Sequence, residues 1–150
     1  MLRRVFVLLS VVLVLAAAGF AQQKTVARSA KAKEMLLGRH KISLQWISWD
    51  YFGTANVTER KGIFYLKGRQ DGRKSTDFVS VDGVITSIDD KEFAFTGKIV
   101  SQISHIFGGK PCKRDGEMTF RITGKRKYWR MQEIDNPCDE AADYVDIYFR

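Results

Sequence analysis

From Lys41 onward, short runs of alternating apolar and polar residues are separated by glycine- and aspartate-rich turns, at intervals of roughly ten residues. Alternation with a period of two places successive side chains on opposite faces of a strand. Many short strands at this spacing are typical of all-β sandwiches and barrels. The pattern therefore predicts an antiparallel meander of eight or nine strands that closes, or nearly closes, into a small barrel. A two-sheet β-sandwich is the alternative.

The first part of the meander contains six predicted strand segments: 41–49, 54–58, 63–67, 78–81, 84–88 and 92–107. Between the fourth and fifth segments, Asp82-Gly83 favours a type I′ hairpin turn, because this dipeptide readily takes positive φ angles. Such a turn would place Val81 opposite Val84. The longest segment carries Gly97 among its apolar positions, which indicates a bend that helps a barrel to close.

The last third of the chain predicts a hairpin around Gly124-Lys125. A two-residue turn is favoured there, since glycine suits the first central position of a type II′ turn. This register would pair Phe120 with Trp129. A four-residue turn would instead set Arg121 opposite Arg130, a like-charge pair that costs stability. A final strand over 144–149 follows, with its odd-numbered positions facing inward and Asp146 outward.

The N-terminal segment has the order of a secretory signal peptide. Arg3 and Arg4 precede an apolar run over 5–18, and small residues follow, which favours cleavage after Ala21 or, as a second option, after Ala18. The alternative, an uncleaved anchor, is less favoured because the apolar run is shorter than the ~20 residues that span a bilayer. The segment predicts an exported protein, periplasmic or secreted, with no membrane span once residues 1–21 are removed.

The remaining chain divides into a leader and one domain. Residues 22–37 form a polar, basic leader with a short helix predicted over 30–37, and residues 38–150 form a single disulfide-clamped β domain. The whole chain carries a formal net charge of +8. Without residues 1–21 it has 23 basic and 17 acidic side chains, a net charge of +6. A basic balance of this size favours anionic partners.

Cys112 and Cys138 are the two cysteines of the chain. An even cysteine count in an exported protein predicts a disulfide, because that compartment is oxidising. The two cysteines are nearly equidistant from the Gly124-Lys125 turn, so we expect them to meet at the open end of the last hairpin. Closing that loop contributes about 3–4 kcal/mol in the chain-entropy model.

A basic cluster lies at the tip of the predicted hairpin: Lys125, Arg126 and Lys127, with Arg130 behind it. Cations interleaved with aromatic residues bind polyanions. An exported protein seldom meets nucleic acid, so we exclude that partner and expect an anionic envelope polymer, a lipid headgroup or an acidic exported protein. A merely solvated rim is the alternative interpretation. One functional hypothesis is therefore an interaction or inhibitor protein that docks through this basic surface.

An aromatic stretch supports a different hypothesis. Trp46 and Trp49 belong to the segment QWISWDYFG, and His105 lies on the apolar side of the long strand. Core packing is the alternative role for these side chains. If they line the mouth of the barrel instead, the protein is a non-enzymatic binding module for a small or extended ligand. No residue set forms a catalytic, metal or cofactor signature, so we predict that the protein is not an enzyme and needs no cofactor. A hydrolase is the third interpretation, after the two binding hypotheses.

The segment GKPCKRDGEMTFRITGKRKYWRMQEIDNPCDEAADYVDIYF resembles the C-terminal signature of a family of small exported bacterial proteins of unknown function. The resemblance extends back through QWISWD. It implies an exported single-domain protein, and it implies no activity, ligand or catalytic residue. A short helix before a meander of about eight strands is also similar to the lipocalin-like barrels, although Gly38-Arg39-His40 stands where those proteins usually have Gly-x-Trp.

Overall fold

The computed structural model describes residues 22–150, and the predicted signal peptide lies outside the described residues. Within this range the chain forms one α-helix, α1 (Ala30–Leu36), one 3₁₀ turn (Phe107–Gly109) and nine strands. The strands are β1 Val26–Ala27, β2 Gly38–Leu44, β3 Gly53–Arg60, β4 Ile63–Asp71, β5 Phe78–Ile88, β6 Glu92–Gln102, β7 Cys112–Arg121, β8 Tyr128–Met131 and β9 Val145–Tyr148. None of the helices in this range is long and apolar enough to cross a membrane.

Eight of the strands form a closed antiparallel barrel. Their order around the barrel is β5-β4-β3-β2-β9-β8-β7-β6, and β6 pairs back with β5. The first and last barrel strands meet at a seam where Ile42 lies opposite Ile147. Full closure removes the exposed sheet edges that would otherwise invite aggregation. The predicted barrel is confirmed, and the sandwich alternative does not apply.

The interior of the barrel is filled by the inward-facing side chains of the strands. The largest fully buried ones include Phe93, Phe95, Phe120 and Trp129. The Phe93 and Phe120 rings stack with their centroids 4.9 Å apart, and Trp129 packs edge-on against Phe93 at 5.9 Å. Burying each side chain of this size contributes roughly 1.5–3 kcal/mol. This packed core stabilises the barrel and occupies its lumen.

The Asp82-Gly83 hairpin prediction is wrong, because residues 78–88 form one continuous strand. Gly83 faces inward opposite Gly97 on β6. A Cβ on Gly83 would lie 2.8 Å from a ring carbon of Phe95, so the two glycines leave the space that this ring occupies. Gly83, which the sequence analysis assigned to a turn, is therefore a small residue that makes room for the Phe95 ring inside the barrel.

The favoured register of the last hairpin is also wrong. Phe120 pairs with Met131, and Arg121 lies opposite Arg130 as the four-residue turn requires. The like-charge cost is offset because each arginine has its own carboxylate. Arg121 Nε donates to Glu92 Oε2 at 2.6 Å, and Arg130 donates to both carboxylate oxygens of Asp146 at 2.7 Å.

Two predicted strands end earlier than their alternation suggests. β2 ends at Leu44, whose carbonyl accepts a hydrogen bond from Ile47 N at 3.0 Å in the turn that follows. β6 ends at Gln102, and the next turn is closed by a 3.0 Å hydrogen bond from Ile106 N to Ile103 O. These turns remove Trp46, Trp49 and His105 from the strands on which they were predicted.

The N-terminal leader is attached to the barrel at two places. Val26–Ala27 forms β1, an unpredicted strand that pairs in parallel with the end of β5. The predicted short helix is confirmed as α1, and its Ser29 cap accepts a hydrogen bond from Ala32 N at 3.2 Å. The side chain of His40 is buried and connects α1 with β9. Its two ring nitrogens lie 2.7 Å from Leu36 O and 2.8 Å from Tyr148 O.

The predicted disulfide between Cys112 and Cys138 is confirmed. The two Cα atoms are 6.0 Å apart, within the usual range for a disulfide. The bridge ties the start of β7 to the irregular segment between β8 and β9. It closes a loop of 26 residues, as expected of a clamp at the base of the last hairpin.

Candidate functional site

The structure brings together two of the three side chains predicted for the barrel mouth. The rings of Trp46 and His105 pack edge to face with centroids 5.8 Å apart. Trp46 Nε1 donates to Asp143 Oδ1 at 3.1 Å, so the indole is anchored to the C-terminal segment. Trp49 is 59% exposed.

A buried ion pair holds the segment before β9 against the barrel. Arg114 is 8% exposed, and its Nη1 donates to Asp143 Oδ2 at 2.9 Å. The same guanidinium donates through Nη2 to Asp135 O at 2.8 Å, and Asn136 Nδ2 donates to Asp143 Oδ2 at 3.0 Å. This network satisfies a buried charge, which otherwise costs several kcal/mol. Its role is structural, and it fixes the irregular segment on which the disulfide also acts.

The predicted basic tip divides into two kinds of residue. Lys125, Arg126 and Lys127 are exposed in the turn between β7 and β8. Arg130 is bound to Asp146, which faces outward as predicted and is fully buried there beneath Arg130. The hydrogen bond to Asp146 raises the pKa of Arg130. Arg130 is therefore held in an internal pair, while the three tip residues remain available to a partner.

A second group of cations surrounds a groove on the outer wall. The groove has a volume of about 650 Å³ and lies where β2, β3 and the end of β9 meet the loops after β2 and β4. Its cationic side chains are Arg39, Lys41, Arg73 and Arg150. We call these four residues, together with Tyr51 and Phe52 beside them, the basic groove. Asp50 is the carboxylate that borders it.

The four cations of the basic groove contact neutral groups. Arg39 donates to Thr54 Oγ1 at 3.3 Å, and Arg150 donates to Glu34 O at 2.8 Å. The other two lie over aromatic rings: Lys41 Nζ is 5.2 Å from the centroid of Phe52, and Arg73 is 4.2 Å from that of Tyr51. These contacts orient the cations while leaving their charges unneutralised.

The arginines of the described chain show how unusual this groove is. Residues 22–150 contain ten arginines, and five of them form ion pairs with carboxylates: Arg28, Arg69, Arg114, Arg121 and Arg130. The other five are Arg39, Arg60, Arg73, Arg126 and Arg150. Three of these line the groove, and Arg126 belongs to the adjacent hairpin tip. Unpaired arginine is thus concentrated on one side of the barrel.

Three outward-facing aromatic residues connect the groove with the hairpin tip. Phe52 packs edge-on against Tyr148 with centroids 4.9 Å apart, and Tyr148 packs against Tyr128 at 5.1 Å. We call these three residues the aromatic row. Tyr148 and Tyr128 are directly opposite in the β8–β9 register. Burial raises the pKa of Tyr148, against a weaker lowering by Ser43, whose Oγ donates to the phenol oxygen at 3.3 Å.

The basic groove was missed in the sequence because its residues come from four separate segments. The alternation in β2 was the available signal: Ile42 faces inward, so Arg39 and Lys41 lie at outward positions. The sequence does not indicate that β9 pairs with β2. Without that pairing, Arg150 is an isolated residue with no evident neighbour.

Comparison with known proteins places the domain in one family. The model of the PM1083 family matches residues 24–149. An uncharacterized protein, PM1083 of Pasteurella multocida (strain Pm70), is 46% identical over 127 residues, which cover 83% of this chain and 80% of the relative. No solved structure matches the chain significantly.

Proposed function

The chain belongs to the PM1083 family, and we propose that it is a non-catalytic binding protein that holds an anionic ligand in the basic groove. The observation that carries this proposal is the set of four cations, Arg39, Lys41, Arg73 and Arg150, that line one groove without a carboxylate partner among residues 22–150. We propose no reaction at this groove, whose role would be to recognise the ligand.

Electrostatics gives the physical reason. Cations that share a groove repel one another, and each exposed pair with an incoming anion is worth about 0.2–1 kcal/mol. Several such contacts in a concave site add up, because the low-dielectric walls concentrate the field of the charges. The Tyr51 and Phe52 rings supply an apolar surface beside those charges. An anion that also has an apolar face therefore fits the groove best.

The packed interior supports this outer site over a ligand inside the barrel mouth. Phe93, Phe95, Phe120 and Trp129 fill the lumen. Trp46 and His105 lie at one end of this core, and the Trp46 indole N–H is already bound to Asp143. Of the three side chains predicted for the mouth, Trp49 is the one that is most exposed, at 59%.

The proposal includes the exported setting that residues 1–21 predict. The disulfide between Cys112 and Cys138 agrees with an oxidising compartment. In that setting the anionic groups available to the groove belong to envelope polymers and to other exported proteins. We therefore propose an envelope component as the partner.

The test compares two triple variants that change the net charge equally. The groove variant is Arg39→Gln, Lys41→Gln and Arg73→Gln. The control is Arg60→Gln, Lys91→Gln and Lys98→Gln, which removes three cations with no ion-pair partner among residues 22–150 and outside the groove. Affinity for heparin oligosaccharides, an anionic probe, is measured by calorimetry at low salt. We expect the groove variant to bind about 10- to 100-fold more weakly than wild type, from three contacts of up to about 1 kcal/mol each.

The control variant is expected to lose less than about threefold, since it changes only the long-range field, which salt screens. Circular dichroism and thermal unfolding establish that both variants are folded. Equal losses for the two triple variants would contradict the proposal, because binding would then depend on net charge and not on the groove.

A further inference from the structure

The aromatic row extends from the basic groove toward a second source of charge. Phe52 borders the groove, and the contacts of Phe52 with Tyr148 and of Tyr148 with Tyr128 continue across β9 to β8. The 5.1 Å spacing between Tyr148 and Tyr128 is close to the distance between neighbouring strands, and Phe52 extends the row from the loop before β3 at 4.9 Å. All three rings are partly exposed. They form an apolar floor that runs across the strands on the outer wall.

Cations flank this floor at both ends. Lys41 lies over Phe52, and Arg126 lies 5.7 Å from the centroid of Tyr128. The hairpin tip is attached to the end of β9, because Phe149 N donates to Lys127 O at 2.9 Å. The groove and the tip therefore belong to one surface, with the aromatic row between them.

A small anion held in the groove could not reach the tip. An extended chain could occupy both places, and its second contact would form intramolecularly at a high effective concentration. Such a chain needs negative groups for the two ends of the surface and an apolar face for the floor between them. A sugar ring presents a flat face of C–H groups, and a uronic acid adds a carboxylate at its edge.

We propose that the ligand is an acidic polysaccharide that lies along the aromatic row with its carboxylates directed to the groove and to the hairpin tip. This inference rests on the proposed function and specifies its ligand. A linear polyphosphate carries the same charge but offers no apolar face to Tyr148 and Tyr128. It should use the cations and leave the row unused.

The test measures how affinity depends on ligand length. Oligogalacturonates of three and twelve units are titrated into the protein by calorimetry. We expect the twelve-unit ligand to bind at least 100-fold more tightly than the three-unit ligand, well beyond the roughly tenfold statistical gain from its ten overlapping three-unit positions. A polyphosphate with twelve charges is the matched ligand without sugar rings, and we expect it to bind at least fivefold more weakly than the twelve-unit sugar.

Two variants remove the second contact in different ways. Tyr128→Ala deletes the end of the aromatic row, and the triple variant Lys125→Gln, Arg126→Gln and Lys127→Gln removes the charge of the tip. Each is expected to weaken the twelve-unit ligand about tenfold and to leave the three-unit ligand unchanged. Their controls are Tyr65→Ala, on another partly exposed outer-wall tyrosine, and the triple variant at Arg60, Lys91 and Lys98.

The outcomes separate this inference from the proposed function. If the three-unit ligand binds through the groove but length brings no further gain, the row and tip do not act and this inference is overturned. Equal binding of polyphosphate and sugar rejects the polysaccharide. If neither sugar depends on Arg39, Lys41 and Arg73, the groove itself is not the site and the proposed function fails.

Discussion

Two sides of the barrel's outer wall treat their cations differently. On the wall formed by β4 to β7, four cations pair with carboxylates on the same or a neighbouring strand, although Lys98 has no such partner among residues 22–150: Lys67 with Asp82, Arg69 with Asp71, Lys113 with Asp115, and Arg121 with Glu92. On the wall around the β2–β9 seam, the cations of the basic groove have no carboxylate partner among residues 22–150, and they contact hydroxyl, carbonyl and aromatic groups. The comparison shows that net charge by itself does not identify a site, whereas the position of the unpaired charge does.

The deepest ion pair gives the largest expected effect. Asp143→Ala leaves the Arg114 guanidinium buried without its carboxylate, which should lower the free energy of unfolding by about 3–5 kcal/mol. Urea unfolding measures the change. The double variant Arg114→Met with Asp143→Leu removes both charges and should be the milder change. A single variant as stable as the double would show that this pair does not anchor the segment before β9.

The Arg130–Asp146 ion pair lies between the side of the wall with paired cations and the side with unpaired ones. Asp146→Asn removes the carboxylate that holds Arg130 in a bidentate pair, so we expect a loss of about 1.5–3 kcal/mol in unfolding free energy. The same change releases Arg130 beside the aromatic row. Affinity for the twelve-unit sugar should therefore rise about threefold.

Asp146→Asn with Arg130→Gln is the control for that gain in affinity, because it removes both charges together. It should lack the gain, and it should lose less stability than Asp146→Asn alone because no charge is left unpaired. If Asp146→Asn lowered the affinity instead, the pairing of Arg130 would be a requirement of the surface.

The smallest expected effect is on the pH dependence of stability, and it comes from the phenol of Tyr148 in the aromatic row. Burial raises the pKa of Tyr148 above its ordinary value of 10.0, so the folded protein holds the phenol proton more tightly than the unfolded chain does. The corresponding stability is fully present below pH 10.0 and is lost as the pH rises toward the folded pKa. Tyr148→Phe should remove this part of the alkaline loss. Unfolding by urea at pH 8 to 11 measures it, and unchanged pH profiles would contradict it.

Most of the fold could be predicted from alternation alone, because alternation reports directly which positions face the core. The errors arose where one residue type serves two purposes. Gly83 suits a turn, and it equally suits an inward position beneath the Phe95 ring, so only the pairing with Gly97 distinguishes the two. Likewise, Arg121 opposite Arg130 looks unfavourable until Glu92 and Asp146 are placed beside them.

The candidate site was less predictable for a related reason. The tip residues Lys125, Arg126 and Lys127 are adjacent in sequence, so their clustering was visible without a structure. The groove is recognised because Arg39 and Arg73 have no carboxylate partner among residues 22–150. That can be seen only when the positions of all the neighbouring strands are known. Asp146 shows a related case: alternation correctly predicts that it faces outward, but not that Arg130 covers it and buries it.

The seam between β2 and β9 joins the beginning of the barrel to its end. The proposed surface straddles that seam, with Lys41 on one strand and Tyr148 on the other. Its parts are far apart in the chain, so the surface comes into existence only when the last strand docks. A polymer lying across it would act as an external strap on the barrel, and ligand binding and the integrity of the fold would then be thermodynamically linked.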